Sequence, residues 1–213
     1  MIRLENITTE DFNDLSFRIQ EGSVHKIITN SDYENKRLLN VILGLERPEH
    51  GRVFLFDKEV YSLSEEELNR IFVRTGTVLK DGGLISNLKV WENIVLPVWY
   101  HSGKKPTDVE EKAVQRLRDA GMDISRLEEM MGELPGPLPV HEKRLLGFVR
   151  SALMDPDLMI YDSVFEGLSP EMSERFIKLT EKFHSEKTGR TSVYITPDEQ
   201  SVKGIKEDGI LRL

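Results

Sequence analysis

The chain has 213 residues, 38% hydrophobic and 31% charged, enough for one sizeable core or a domain carrying a subdomain. Its formal net charge of −8 argues against nucleic-acid binding, which needs a basic face to replace phosphate counterions. It has no cysteine, which excludes disulfides, thiolate metal sites and a thiol nucleophile. The opening stretch from Met1 to Phe12 lacks the basic start and apolar run of a leader, and no window approaches ~18 uninterrupted apolar residues. These features lead us to expect a soluble, cytoplasmic chain that meets a membrane only through a partner.

In chain order, residues 2–7 and 15–19 alternate apolar and polar and read as antiparallel strands. Residues 25–29 form a buried strand feeding a helix from about Glu34. Residues 51–56 and 58–63 flank Asp57 as a hairpin, residues 65–70 are a short helix, and residues 72–79 are another strand. From Asp81 to about Asp155 the periodicity is almost wholly helical, with segments at 90–101, 106–122, 124–131 and 141–154. Between the last two, "MGELPGPLPV" alternates proline and glycine too densely for helix or central strand. Buried strands return at 157–162 and 191–196, with a helix over 169–189 between them, and the chain stops at Leu213 shortly after the last strand. Strand–helix–strand units interrupted by a helical block predict an α/β fold built on a mostly parallel sheet.

Four stretches carry more than secondary structure. "IITNSDYENKRLLNVILGLERPEHG", Ile27 to Gly51, runs from strand through a polar turn into a helix and a closing turn. "TVLKDGGLISNLKVWENIVLPVWYH" follows at Thr77–His101, "RSALMDPDLMIYDSVFEGLSP" at Arg150–Pro170, and "GRTSVYITPDEQ" at Gly189–Gln200. In this order and spacing the chain resembles an ATP-binding-cassette (ABC) ATPase subunit over essentially its whole length, in the pattern of Mla/Mce-type lipid-transport systems. The resemblance implies a P-loop NTPase-like α/β fold with an N-terminal antiparallel β part and an inserted helical subdomain. It implies one domain over 1–213, with 1–80 and 156–213 as the core and 81–155 as the helical part.

The resemblance also assigns chemistry to positions, and most are altered. A working phosphate loop needs glycines so that backbone N–H groups converge on phosphate, a lysine for the outer phosphates, and a Ser or Thr for magnesium. Here the glycine positions hold Thr29, Asp32 and Glu34; Asn35 stands in the lysine's place; Lys36 and Arg37 replace the Ser-Thr pair; Ser31 alone matches. A one-residue slip that used Lys36 as the loop lysine would turn the following helix by about 100° and misdirect its apolar face. The glutamine that senses metal and water is Lys80, the general base is Ser163, and the switch histidine is Pro197. Asp162 keeps the magnesium-associated carboxylate, or else is a strand-end acid bonding to nearby backbone. The signature motif falls on Leu138–Glu142, or on Glu133-Leu134 if extra residues precede the helix; His141 there reads as a solvated helix-start residue rather than a base.

No catalytic, nucleotide-binding or metal-binding residue is therefore expected to function, and no cofactor is expected; ATP and magnesium enter only under the alternative of an active enzyme. With metal and nucleotide gone, Lys36, or failing that Arg37, is expected to form a salt bridge to Asp162. Trp91, Trp99 and Tyr100 fall where the resemblance places the contact with a membrane partner, and such residues are common interface anchors. The expected partners are an ABC membrane permease subunit, a second ABC ATPase-like subunit in a homo- or heterodimer, or both. The reading is a non-hydrolysing structural or regulatory subunit of a transporter-like complex, with lipid transport favoured and a location on the inner face of the cell membrane. The alternatives are an active ATP-binding subunit using non-standard residues, and a soluble adaptor no longer linked to transport.

Overall fold

The computed structural model describes residues 1–102 and 107–213. The first part runs β1 (Ile2–Thr8), β2 (Leu15–Ile19), β3 (Val24–Ile28), α1 (Asp32–Ile42), β4 (His50–Leu55), β5 (Lys58–Glu59), α2 (Glu65–Val73) and β6 (Thr75–Val78). Four helices follow: α3 (Val90–Ser102), α4 (Thr107–Asp119), α5 (Ile124–Met131) and α6 (Val140–Ala152). The chain then returns through β7 (Leu158–Asp162), α7 (Pro170–Ser185), β8 (Thr191–Thr196) and β9 (Gly209–Arg212).

Two sheets divide the strands. One, in the order β2-β1-β4-β5, is antiparallel, and the other, β6-β7-β8-β3-β9, is wholly parallel. In β1 the period-two pattern buries Ile2 and Leu4 and leaves Arg3 at the surface. Helix α1 lies between the sheets. Its Leu38, Leu39, Val41 and Ile42 pack with Ile2, Leu4, Val53 and Leu55 on one side and Ile27, Ile160 and Ile195 on the other. Burying each such side chain is worth about 1.5–3 kcal/mol. The second core joins α3, α6 and α7 to the other face of the parallel sheet, through Ile94, Phe148, Phe176 and Phe183 among others.

The register of the parallel sheet sets the site. Ile28 lies opposite Thr196, and Asp162 lies opposite Ile195, so the carboxyl ends of β3, β7 and β8 finish nearly flush. The residues that follow them, Thr29, Ser163 and Pro197, emerge side by side at one edge, the place where open α/β sheets offer ligand sites.

Four local expectations change. Helix α1 starts at Asp32 rather than Glu34, because Ser31 caps it. Helix α2 runs to Val73, where a strand was expected from 72, since Ser64 and Glu67 form a capping box that starts it firmly. The second hairpin strand keeps only Lys58 and Glu59 before a helical turn over Val60–Ser62. Strand β9 was not expected, and it pairs with β3 from Gly209 to Arg212. Pro106, which opens the expected 106–122 helix, lies outside the described residues.

Candidate functional site

The loop after β3 contains no glycine, and no residue from 29 to 37 adopts a positive φ. It leaves the strand extended and enters the helix through Ser31, whose hydroxyl accepts the Glu34 N–H at 3.2 Å. The carboxylate of Glu34 turns back and accepts the N–H of Asn30 at 2.9 Å and its side-chain amide at 3.2 Å. Asp32 is the first residue of the helix. Carboxylates in a first turn are favoured by the helix dipole, about 0.3–1 kcal/mol each at an exposed site. The loop thus supplies its own anions to the donors that a phosphate loop leaves free.

Asn35 is buried and forms the centre of the site. Its side-chain oxygen accepts the Thr29 hydroxyl, and its amide donates to Ser163 Oγ at 2.8 Å and to Asp162 Oδ1 at 3.3 Å. Burial raises the pKa of Asp162, and the hydrogen bonds from Asn35 and Ser163 only partly offset it. Ser163 sits just past the strand with φ of 49°, an unusual conformation for a residue with a side chain, and its N–H donates to Ile195 O at 2.9 Å. Pro197 follows β8 half-buried and brings no polar side-chain atom to the edge.

The expected bridge from Lys36 or Arg37 to Asp162 is not formed. Arg37 points the other way, to Glu10, Asp11 and Glu46, and Lys36 is exposed beside them. The reason is the direction of the helix face: Asn35 faces inward, so its two successors cannot, and a neutral amide occupies the space beside the aspartate.

The cation that does reach the loop comes from Lys80. Its Nζ lies 2.9 and 2.8 Å from the two Asp32 oxygens and also pairs with Glu166 after β7. Burial works against its charge, but the bonds to Asp32 and Glu166 prevail and raise its pKa. Beneath it Arg144 of α6 is almost fully buried, donating to the carbonyls of Lys80 at 2.6 Å, Val164 at 3.1 Å and Glu166 at 2.6 Å. Burial lowers the pKa of Arg144, with Glu166 the leading opposing charge. Helix α6 comes this close because Gly147 has no side chain: a Cβ there would meet Gly82 O at 2.4 Å. Three segments distant in sequence, the α1 start, the Lys80 turn and the turn after β7, are thereby tied together.

In this arrangement the residues do not fit a magnesium triphosphate. The Asn30 N–H and the first turn of α1 already face carboxylates, residues 29–35 hold no lysine, and the Lys80 ammonium is held by two acids. Among the described residues no cluster of His, Asp and Glu is arranged to hold a metal ion.

The other residues singled out lie apart. Trp91 packs half-buried against the helical core, whereas Trp99 is 37% and Tyr100 79% exposed toward the end of α3. Val140, His141 and Glu142 open α6, which Pro139 precedes without a side-chain cap. Glu166 and Arg144 went unnoticed in the sequence. A glutamate four residues beyond Asp162 and an arginine in the second turn of α6 carry no motif, and only the fold brings them to Lys80.

A family model described as "ABC transporter" matches residues 12–166. The chain is 25% identical over 193 residues to the methionine import ATP-binding protein MetN of Rhodopseudomonas palustris, covering 91% of this chain and 50% of that protein. It is 28% identical over 192 residues to MetN 2 of Bacillus cereus, covering 90% and 55%. The chain thus spans about half the length of the curated relatives it matches. Its fold is similar to the dimeric bacterial ABC transporter cassette MJ0796, with a TM-score of 0.85 and 23% identity over 100% of this chain and 94% of that one. It is also similar to cbiO1 from Clostridium perfringens, part of the ABC transporter complex cbiONQ, with a TM-score of 0.73, 18% identity and coverage of 92% and 78%. None of these names concerns lipid, so the finer likeness to lipid-transport systems gains no support from them. With most of its length matched and both sheets and the helical block in place, the chain belongs to the ABC transporter family, in the fold of its ATP-binding subunits.

Proposed function

We propose that this chain is the cassette subunit of an ABC transporter-like complex in which it serves as a non-hydrolysing structural or regulatory member. The observation that carries this reading is the bridge from Asp32 through Lys80 to Glu166, set on a loop whose helix start is capped by its own carboxylates. Ser163 stands at the base position, and a hydroxyl cannot take a proton from water near neutral pH. The chain works as one domain over 1–213, with residues 81–155 as a helical subdomain presenting Trp99 and Tyr100. Its partners are a membrane permease, a second cassette subunit, or both. It lies in the cytoplasm against the membrane, which it reaches only through them; among the described residues no helix is long and apolar enough to cross a membrane.

A second reading is an active ATP-binding subunit, and the comparisons favour it. The curated relatives named above are ATP-binding proteins of methionine import, and a cassette of similar fold (TM-score 0.82, 23% identity, 94% of this chain and 90% of that one) was solved with ADP and Pi. Asp162, retained at the end of β7, is the residue that reading would use, and binding would require Lys80 to leave Asp32. Calorimetric titration with ATP and magnesium separates the two. Affinity weaker than millimolar and no phosphate release support the non-hydrolysing subunit, whereas micromolar binding with turnover lost in Asp162→Ala establishes the active one. Recovery of the chain with a permease from native membranes supports transport, and its absence there favours an adaptor.

A further inference from the structure

A cavity of about 230 Å³ lies at the seam between the α4–α5 turn, the start of α6 and the first turns of α7. Its apolar walls come from Met122, Leu145, Leu168, Met172 and Phe176. At the ~30 Å³ that a water occupies in the liquid, it has room for about eight heavy atoms, a six-membered ring with a short arm. Two methionines flank that space with adaptable, polarizable sulfurs suited to the edge of an aromatic ring.

The rim carries Asp123, Arg126, His141, Glu142 and Arg175. Both carboxylates are already engaged. Asp123 caps α5 through the N–H groups of Ser125 and Arg126, and Glu142 accepts two bonds from the Arg126 guanidinium at 3.1 and 2.9 Å. Among the described residues, Arg175 uses Nη2 alone, on Glu171 at 2.7 Å. Its Nη1 stands over Gly121, where an added Cβ would lie 4.0 Å away. His141 makes no hydrogen bond among the described residues. Among the described residues, the rim donors without a hydrogen bond thus include Arg175 Nη1 and the His141 imidazole, while Arg126 Nη1 faces Glu129 at 3.6 Å and the acids are occupied.

We propose that this cavity binds a small apolar monocarboxylate, its body between Met122 and Phe176 and its carboxylate on Arg175 Nη1 and His141. An ionised acceptor makes the stronger, charge-assisted bond to arginine, so the acid is preferred over its neutral amide. A ligand here touches α7 and the helical block at once and ties the two together, whatever the nucleotide state of the loop.

The test uses the full chain labelled with ¹³C at the methionine methyls and titrated with phenylacetate. Saturable shifts at Met122 and Met172, with Met1 and Met159 unmoved, are expected, together with a rise in Tm. Phenylacetamide and the Arg175→Gln variant each weaken binding by about tenfold; Arg175 is exposed on α7, and its replacement leaves the core intact. No saturable shift at Met122 and Met172, or equal binding of acid and amide to both proteins, overturns the proposal.

Discussion

Lys80 Nζ sits within 2.9 Å of both carboxylate oxygens of Asp32, so the first residue of α1 is held by a side chain 48 positions away. The pair is partly open to solvent, with 39% and 57% of the two side chains exposed. We expect Lys80→Gln to cost no more than about 1 kcal/mol of stability in urea denaturation. Under the non-hydrolysing reading the same variant does not bring ATP affinity to the micromolar range, because Asp32 and Glu34 remain. Micromolar binding on this single change would show that the clamp alone keeps nucleotide out.

Asn35 answers three partners, two of them buried, with one amide. Replacing it by Leu leaves the Thr29 hydroxyl, Ser163 Oγ and the Asp162 carboxylate short of bonds. An unsatisfied buried group costs about 1–3 kcal/mol, so Asn35→Leu is expected to lose at least 2 kcal/mol, roughly, despite its similar volume. A loss within a few tenths in the urea midpoint would mean that solvent reaches the site.

Arg144 is the buried counterpart beneath the clamp. Arg144→Met keeps the apolar stem and removes the donors to the carbonyls of Lys80, Val164 and Glu166. We expect a loss of about 3 kcal/mol, with amide exchange rising most in the turns at 80–83 and 164–167. Unchanged exchange in those turns would show that the guanidinium does not hold them.

Asp162 carries a pH signature. Its carboxyl is raised by burial, so the folded state binds more protons than the unfolded one between the two pKa values. Its contribution is therefore fully present below the unfolded pKa and is lost as pH rises through the folded one. Asp162→Asn is expected to be more stable than the native chain near neutral pH, since its amide oxygen still accepts from Asn35. The advantage shrinks as pH falls through the raised pKa. Denaturation at neutral and acid pH measures it, and an advantage that grows on acidification would reverse the sign.

Much of the fold was legible because its strands and helices carry their own periodicity. The alternation in residues 2–7, the continuous apolar runs at 157–162 and 191–196, and the apolar face of residues 38–42 each name a burial pattern. The proline-rich stretch before α6 and the cap at Ser31 are local chemistry too, although the cap moved the helix start. Strand β9 was missed because its exposed alternation is weak, and only pairing with β3 makes it a strand.

The sequence by itself determined that residues 29–35 hold neither glycine nor lysine, since that is a matter of residue identity alone. Which charge meets which was decided by the tertiary structure. The resemblance implies a place beside Asp162 for Lys36 and Arg37, yet helical geometry turns Asn35 inward and leaves Lys36 in solvent and Arg37 on Glu10, Asp11 and Glu46. Lys80, Arg144 and Glu166 meet because the parallel sheet finishes its strands at one edge and Gly147 lets α6 approach the Lys80 turn. A helix face repeats every 3.6 residues and is readable along the chain, whereas a pairing across dozens of residues exists only after the sheet has set its register.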